Sequence, residues 1–119
     1  KVLVAYDNSV QATKAIQMFL LLHIWNQCDI TLLNVNSDAA RAKRLLDRLG
    51  EYVGRYGIQP SKVRLRGRPD KAILSYLREN EVDLLVMGAY GKRTASEFVF
   101  GSSTRSLIDH ADIPLFIYH

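Results

Sequence analysis

A single cysteine, Cys28, is the whole thiol complement of this 119-residue chain, so no internal disulfide can form. That economy suits a reducing compartment, and a cytoplasmic location is the expectation. Nothing beside Cys28 marks its thiol as activated, and it reads as a small residue near a strand start. No apolar run reaches the ~18 residues of a membrane span. The longest, residues 18–25, is interrupted by His23. Lys1 leads directly into an apolar strand pattern, without the tripartite pattern of a signal peptide. The three histidines are scattered, so a structural zinc site lacks its ligands. The Gly-Lys-Ser/Thr of a Walker A loop is absent, and so is the dinucleotide fingerprint GxGxxG. There is no internal repeat, linker or low-complexity stretch.

What is present fits one domain with a real core: 48% of the residues are hydrophobic. The net charge of +4 is uneven, because residues 41–68 hold nine basic and two acidic side chains. Such a stretch raises nucleic acid as a partner. The segment has only two aromatics, Tyr52 and Tyr56, and both fall at apolar helical positions. The expectation is therefore a solvated surface, on the back of a helix and an edge strand, rather than a nucleic-acid interface.

Along the chain, apolar strand patterns alternate with helical ones. Residues 1–6 (KVLVAY), 30–35 (ITLLNV), 62–66 (KVRLR), 83–87 (DLLVM) and 114–118 (PLFIY) read as strands. Asn8 or Ser9 can cap a first helix that carries Ala12, Ala15, Ile16, Phe19 and Leu20. His23 falls in the same stripe and reads as a packed residue. A second helix carries Leu45, Leu46, Leu49, Tyr52, Val53 and Tyr56 and ends at Gly57, and only residues 36–40 separate it from the second strand. Pro69 opens a third helix, with Ile73, Tyr76 and Leu77 on its apolar face. Residues 102–111 form a fourth, with His110 placed to complement its dipole. The alternation predicts an α/β fold: a five-stranded parallel sheet, helices on both faces, right-handed crossovers.

In such sheets ligands bind beyond the strand carboxyl ends, where the strand order reverses. Chemistry is therefore expected after strands one and four. After strand four come Gly88, Gly91 and then Gly101-Ser102-Ser103 at a helix start. Glycine allows the main chain close to a ligand, and a helix N-terminus offers free N–H groups to phosphate. The hydroxyls of Ser102 and Ser103 add donors, and Lys92, Arg93 and Arg105 could add charge. After strand one, Asp7 stands across the same crevice. The competing reading makes these glycines turn formers and helix caps, and makes Asp7 a turn cap.

The spacing Gly88-x2-Gly91-x9-Gly101-Ser102 resembles the nucleotide-binding pattern of the ATP-binding class of universal stress proteins. VAYDNS (residues 4–9), LLNV (32–35), GRPDKAIL (67–74), DLLVMGAYGK (83–92) and ADIPLFIY (111–118) extend the likeness over nearly the whole chain. The resemblance implies a Rossmann-like sheet of the adenine nucleotide alpha hydrolase type, in the order 3-2-1-4-5. It implies that Asp7 and the main chain of Val35 hold adenine, with Ala5 and Tyr6 lining that end. Met87 and Gly88 would lie beside the ribose, and Gly91, Gly101, Ser102 and Ser103 would cradle the phosphates. It further implies ATP, with Mg²⁺ as companion, and a stress-response sensor or switch that dimerises through the last strand. The segment that such proteins carry between the second strand and second helix is here shortened to residues 36–40. The chain starts at its first strand without methionine, so one half of a tandem protein and a trimmed chain both stay open.

No motif commits the chain to turnover, since nothing stands out as positioning water for attack on a γ-phosphate. At most, slow ATP hydrolysis is expected. A phosphoacceptor receiver domain would need an acidic cluster at strand one and a lysine near strand five, and PLFIYH has none. The alternative from another class is a dimerisation or protein-interaction module that binds no nucleotide. The apolar last strand, residues 114–118, contrasts with the charged edge at 62–66 and is the expected assembly edge for a homodimer or a tandem sister domain.

Overall fold

The computed structural model describes residues 1–89, 93–94, 97–98 and 102–118. Strands β1 (Val2–Ala5), β2 (Ile30–Val35), β3 (Ser61–Leu65), β4 (Leu84–Gly88) and β7 (Leu115–Tyr118) form one sheet, with β5 (Arg93–Thr94) and β6 (Glu97–Phe98) apart from it. The sheet order is β3-β2-β1-β4-β7. Every pairing in it is parallel, with Val2 opposite Ile30 on one side and Leu84 on the other. This is the expected order, with β1 at the centre and the charged β3 and the apolar β7 at the two edges. The small antiparallel pairing of β5 with β6 was not foreseen from the sequence.

Two apolar layers sandwich the sheet. Alternate residues of β1 divide between them, as the two-residue period of a strand requires. Val2, Val4 and Tyr6 pack with Ile16 and Phe19 of α1 (Val10–Leu21) and with Leu46 and Leu49 of α2 (Ala39–Gly54). Leu3 and Ala5 pack with Ile73 of α3 (Pro69–Glu79) and Leu107 of α4 (Ser102–His110).

Local chemistry sets where the helices start. Ser9 caps α1, its Oγ accepting from Ala12 N at 3.1 Å. Asp38 caps α2, accepting from Arg41 N at 3.1 Å, so this helix starts two residues before the expected boundary. α2 ends at Gly54, earlier than expected, and Gly57 with φ +79° lies in the turn beyond. α1 ends at Leu21, which removes His23 from the helical stripe. His23 instead takes φ +53° in an exposed turn, with the Trp25 ring beside it. The expectation of a packed histidine fails because Trp25 folds back to donate its Nε1–H to Leu20 O at 2.7 Å, which closes the helix end. His110 keeps its expected place at the end of α4, with Nδ1 2.9 Å from Ser106 O. Cys28 is exposed in the turn before β2. His119 lies outside the described residues.

Candidate functional site

The turn after β1 is where the crevice begins. Asn8 holds φ +66°, a left-handed conformation that asparagine tolerates better than most residues. Asp7 Oδ1 accepts from Ser9 N at 2.9 Å, a side-chain turn that tightens this bend. The local capping role foreseen for Asp7 is thus real. It engages only one carboxylate oxygen, and the side chain is exposed.

Ala5, Tyr6 and Asp7 line a hollow of about 110 Å³ together with Leu33, Val35 and Pro69. Four of the expected site residues therefore meet in one place, at the carboxyl ends of β1 and β2. Leu33 and Pro69 were not foreseen. Tyr6 belongs to the apolar layer on the α1–α2 side, and its hydroxyl lies 3.1 Å from Thr13 Oγ1. The hollow is smaller than the roughly 300 Å³ of a whole ligand pocket. It can hold one end of a ligand.

Met87 and Gly88 end β4, next to β1 in the sheet. The Met87 side chain is fully buried in the α3–α4 layer, so only its main chain can face the crevice. Gly88 has a structural reason to be glycine. A Cβ there would lie 2.5 Å from Gln11 C and 2.8 Å from Ala12 Cα, and closer still to Ala12 N. The first turn of α1 thus rests directly on the end of β4. Gly91 and Gly101 lie outside the described residues, as do Tyr90 and Lys92. Ser102 and Ser103 open α4, and Ser103 is half-buried. Arg105 is exposed on the same helix, and Arg93 is placed in β5.

Two buried polar side chains brace this region, and sequence reasoning missed both. Asn34 donates through Nδ2 to Tyr6 O at 2.7 Å and so ties the end of β1 to β2. Its signal was a lone polar residue inside an apolar strand. Asp70, only 2% exposed, sits in the first turn of α3, one residue after Pro69. Burial pushes its carboxyl pKa up. A hydrogen bond from Ser106, the Lys71 main-chain N–H and the Arg68 guanidinium outweigh that and hold it below the ordinary carboxylate value. Arg68 Nε lies 2.8 Å from Asp70 Oδ1. Asp70 thereby joins the start of α3, which walls the hollow, to α4, whose first turn carries Ser102 and Ser103.

A second and larger cavity, of about 440 Å³, lies on the opposite sheet face. Its walls include Arg41, Arg44 and Arg48. All three stay exposed, as expected of a solvated surface, on the side of α2 that faces α1. Among the described residues no group of three or more His, Cys, Asp or Glu side chains could hold a metal ion, and no helix is long and apolar enough to cross a membrane.

Residues 37–119 match the family described as the universal stress protein family. The universal stress protein Slr1230 of Synechocystis is 30% identical over 126 residues, covering 99% of this chain and 42% of that protein. The chain thus spans about two fifths of the length of that relative. Universal stress protein UspA from Lactobacillus plantarum superposes with a TM-score of 0.83 at 24% identity, over 99% of this chain and 96% of that one. A universal stress protein in complex with cAMP gives a TM-score of 0.79 at 18% identity, over 99% and 95% of the two chains. A family member from Arabidopsis thaliana with AMP bound gives 0.73 at 19%, over 98% and 89%. At these identities the superpositions show a shared fold.

Proposed function

The chain belongs to the universal stress protein family, and from that premise we propose that it is an adenine-nucleotide-binding domain acting as a nucleotide-dependent switch. The observation that carries this reading is the hollow at the carboxyl ends of β1 and β2, where Ala5, Tyr6, Asp7 and Val35 converge. Two proteins of the same fold carry AMP and cAMP.

The residues present fit an adenine nucleotide. Leu33, Val35 and Pro69 offer an apolar wall to a planar base. The uncommitted oxygen of Asp7 can accept from an exocyclic amine, and a carboxylate beside the hollow would repel a phosphate, so the base end belongs here. The phosphate end would be met by the main-chain N–H groups and hydroxyls of Ser102 and Ser103 at the start of α4. By the family's spacing, Gly91 and Gly101 would belong to the same cradle. ATP is the ligand of choice, and a bound Mg²⁺ would offset part of its triphosphate charge. The protein's own residues bind and orient; none is assigned a hydrolytic role.

The outward effect of nucleotide would be felt at the β7 edge, where a second copy or a sister domain is the proposed partner. The competing reading, an interaction module without nucleotide, draws on Gly88, whose close contact with α1 accounts for one glycine by packing alone. Acid release of bound nucleotide from the purified protein, read by absorbance and mass, decides between them. Calorimetry with ATP, ADP, AMP and cAMP then ranks the ligands. A folded Gly101→Val variant is expected to lose affinity, and an unchanged affinity would remove the cradle from the proposal.

A further inference from the structure

The larger cavity has a composition of its own. Arg41, Arg44 and Arg48 stand at positions i, i+3 and i+7 of α2, one stripe of the helix. All three are exposed, and none makes a side-chain hydrogen bond or salt bridge to another described residue. The helix does not lack acids to pair with them. Asp47 is committed elsewhere, to Lys43 at 2.6 Å and Lys62 at 3.0 Å; Glu51 is exposed and makes no salt bridge to a described residue; and no acidic side chain lines the cavity. Below the arginines the walls become apolar: Ile16 is buried on α1, and Leu45 and Leu49 lie on α2. Tyr6 and Thr13 place hydroxyls at the side facing β1. The Tyr52 phenol is neutral at neutral pH and is held above its ordinary pKa by burial and by Tyr56, so it adds no negative charge to this wall.

Three exposed guanidiniums in one row, with no partner among the described residues, leave their donors free for an anion. Guanidinium forks match phosphate oxygens bidentately, and a volume of about 440 Å³ falls within the range of small-molecule sites. We propose that the cavity between α1 and α2 binds a phosphorylated small molecule with a planar or apolar body. The body enters between Ile16, Leu49 and Tyr52, and the phosphate meets the arginine row. The site is distinct from the β1–β2 hollow, because it lies on the other face of the sheet, with Tyr6 as the wall between them. An extended nucleic acid is a poorer occupant. The one aromatic on the arginine stripe, Tyr52, is half-buried and already packs edge-on against Tyr56, with centroids 5.9 Å apart.

The test is an amide-resolved NMR titration with 1-naphthyl phosphate, with inorganic phosphate and 1-naphthol as the two halves of the probe. Saturable shifts are expected along residues 41–52 and in the first half of α1, and neither half alone should saturate over the same range. The double variant Arg44→Gln/Arg48→Gln should weaken binding about tenfold or more. Its circular dichroism should match the parent, since neither side chain holds the fold together. Saturating ATP should leave the affinity for naphthyl phosphate unchanged, as should Gly101→Val, which keeps failure of this site distinct from failure of the nucleotide proposal. An unchanged affinity in the double variant would overturn the proposal. So would shifts confined to the β1–β4 crevice, or a single-stranded RNA that moves the same amides at lower concentration and displaces the probe.

Discussion

Replacing Gly88 by alanine tests the packing on which the crevice is built. The added Cβ would fall 2.5 Å from Gln11 C and 2.8 Å from Ala12 Cα, whereas ordinary carbon contacts begin at 3.4 Å. Both neighbours are main-chain atoms, so no rotamer change relieves the clash. The first turn of α1 must instead retreat by about 1 Å. Ile16 and Phe19, both at most 1% exposed, ride on the same helix and would lift from the sheet with it. Overpacking costs roughly 1–3 kcal/mol and is at its upper end when a helix must move, so about 3 kcal/mol is expected. At ~2.1 cal/mol/K per residue, unfolding of this 119-residue chain has an entropy near 0.25 kcal/mol/K, so each kcal/mol moves Tm by about 4 °C. Gly88→Ala should therefore melt about 12 °C below the parent by circular dichroism or calorimetry. Gly54→Ala is the control: a Cβ there meets nothing within 4 Å, and α2 already includes this residue. It should raise Tm by about 2–4 °C, through a stabilisation of roughly 0.4–1 kcal/mol. A Gly88→Ala protein that melts within about 3 °C of the parent would refute the close approach of α1 to β4.

Other expectations concern the braces and the edge. Asp70→Asn should cost about 1–3 kcal/mol in urea unfolding at neutral pH, because Arg68 and Ser106 lose their charged partner. The folded-state carboxyl lies below its ordinary 3.8, so its contribution is complete above that value and disappears as pH falls through the depressed pKa. The Asn variant should accordingly show a shallower loss of stability below about pH 4.5, and parallel pH profiles for the two proteins would remove Asp70 from that role. Asn34→Ala leaves Tyr6 O without its donor and should cost about 1–3 kcal/mol while weakening ATP binding; a variant as stable as the parent would show that the bond is idle. At the β7 edge, Pro114 O and Tyr118 O accept from Leu85 N and Ala89 N. By the alternation of a parallel ladder, residues 115 and 117 turn their N–H groups outward. Ile117→Pro should thus spare the β4 pairing and block a partner strand. A folded variant with the parent's dimeric mass in light scattering would argue against strand-mediated assembly, as would a parent that is already monomeric.

The strands and their parallel pairing were legible because buried parallel strands have a distinctive composition, whereas their order came from the family resemblance. VLVA, ITLLNV and LLVMG need no partner to be recognised, and alternation with amphipathic helices leaves few topologies. Helix ends were less legible because they turn on single hydrogen bonds. The carboxylate of Asp38 moved the start of α2, and the indole of Trp25 took His23 out of α1. At the site, the Asp7 turn could be read locally, since its partner is two residues away. Pro69 and Asp70 could not, because their importance comes from Ala5 on a neighbouring strand and Ser106 on another helix. The arginine row left a sequence signal, a spacing of three and four residues beside Leu45 and Leu49. It was read as charge alone, because only the packed helix shows which way the stripe faces.

The central position of β1 has a consequence for how the chain acquires its structure. β1 pairs with β2, about 28 residues away, and with β4, about 82 residues away, as the links from Tyr6 O to Asn34 and from Lys1 to Asp83 illustrate. During synthesis the β1-β2-β3 half can assemble early, yet it ends in an open edge whose residues are apolar on both faces. That edge is satisfied only when β4 arrives, after a long loop-closure search that slows folding. Until then the nascent sheet offers another chain a template, and a fragment ending after β3 should aggregate rather than persist as a stable half. Cooperativity is thereby built into the strand order: the middle of the sheet is laid down first and completed late.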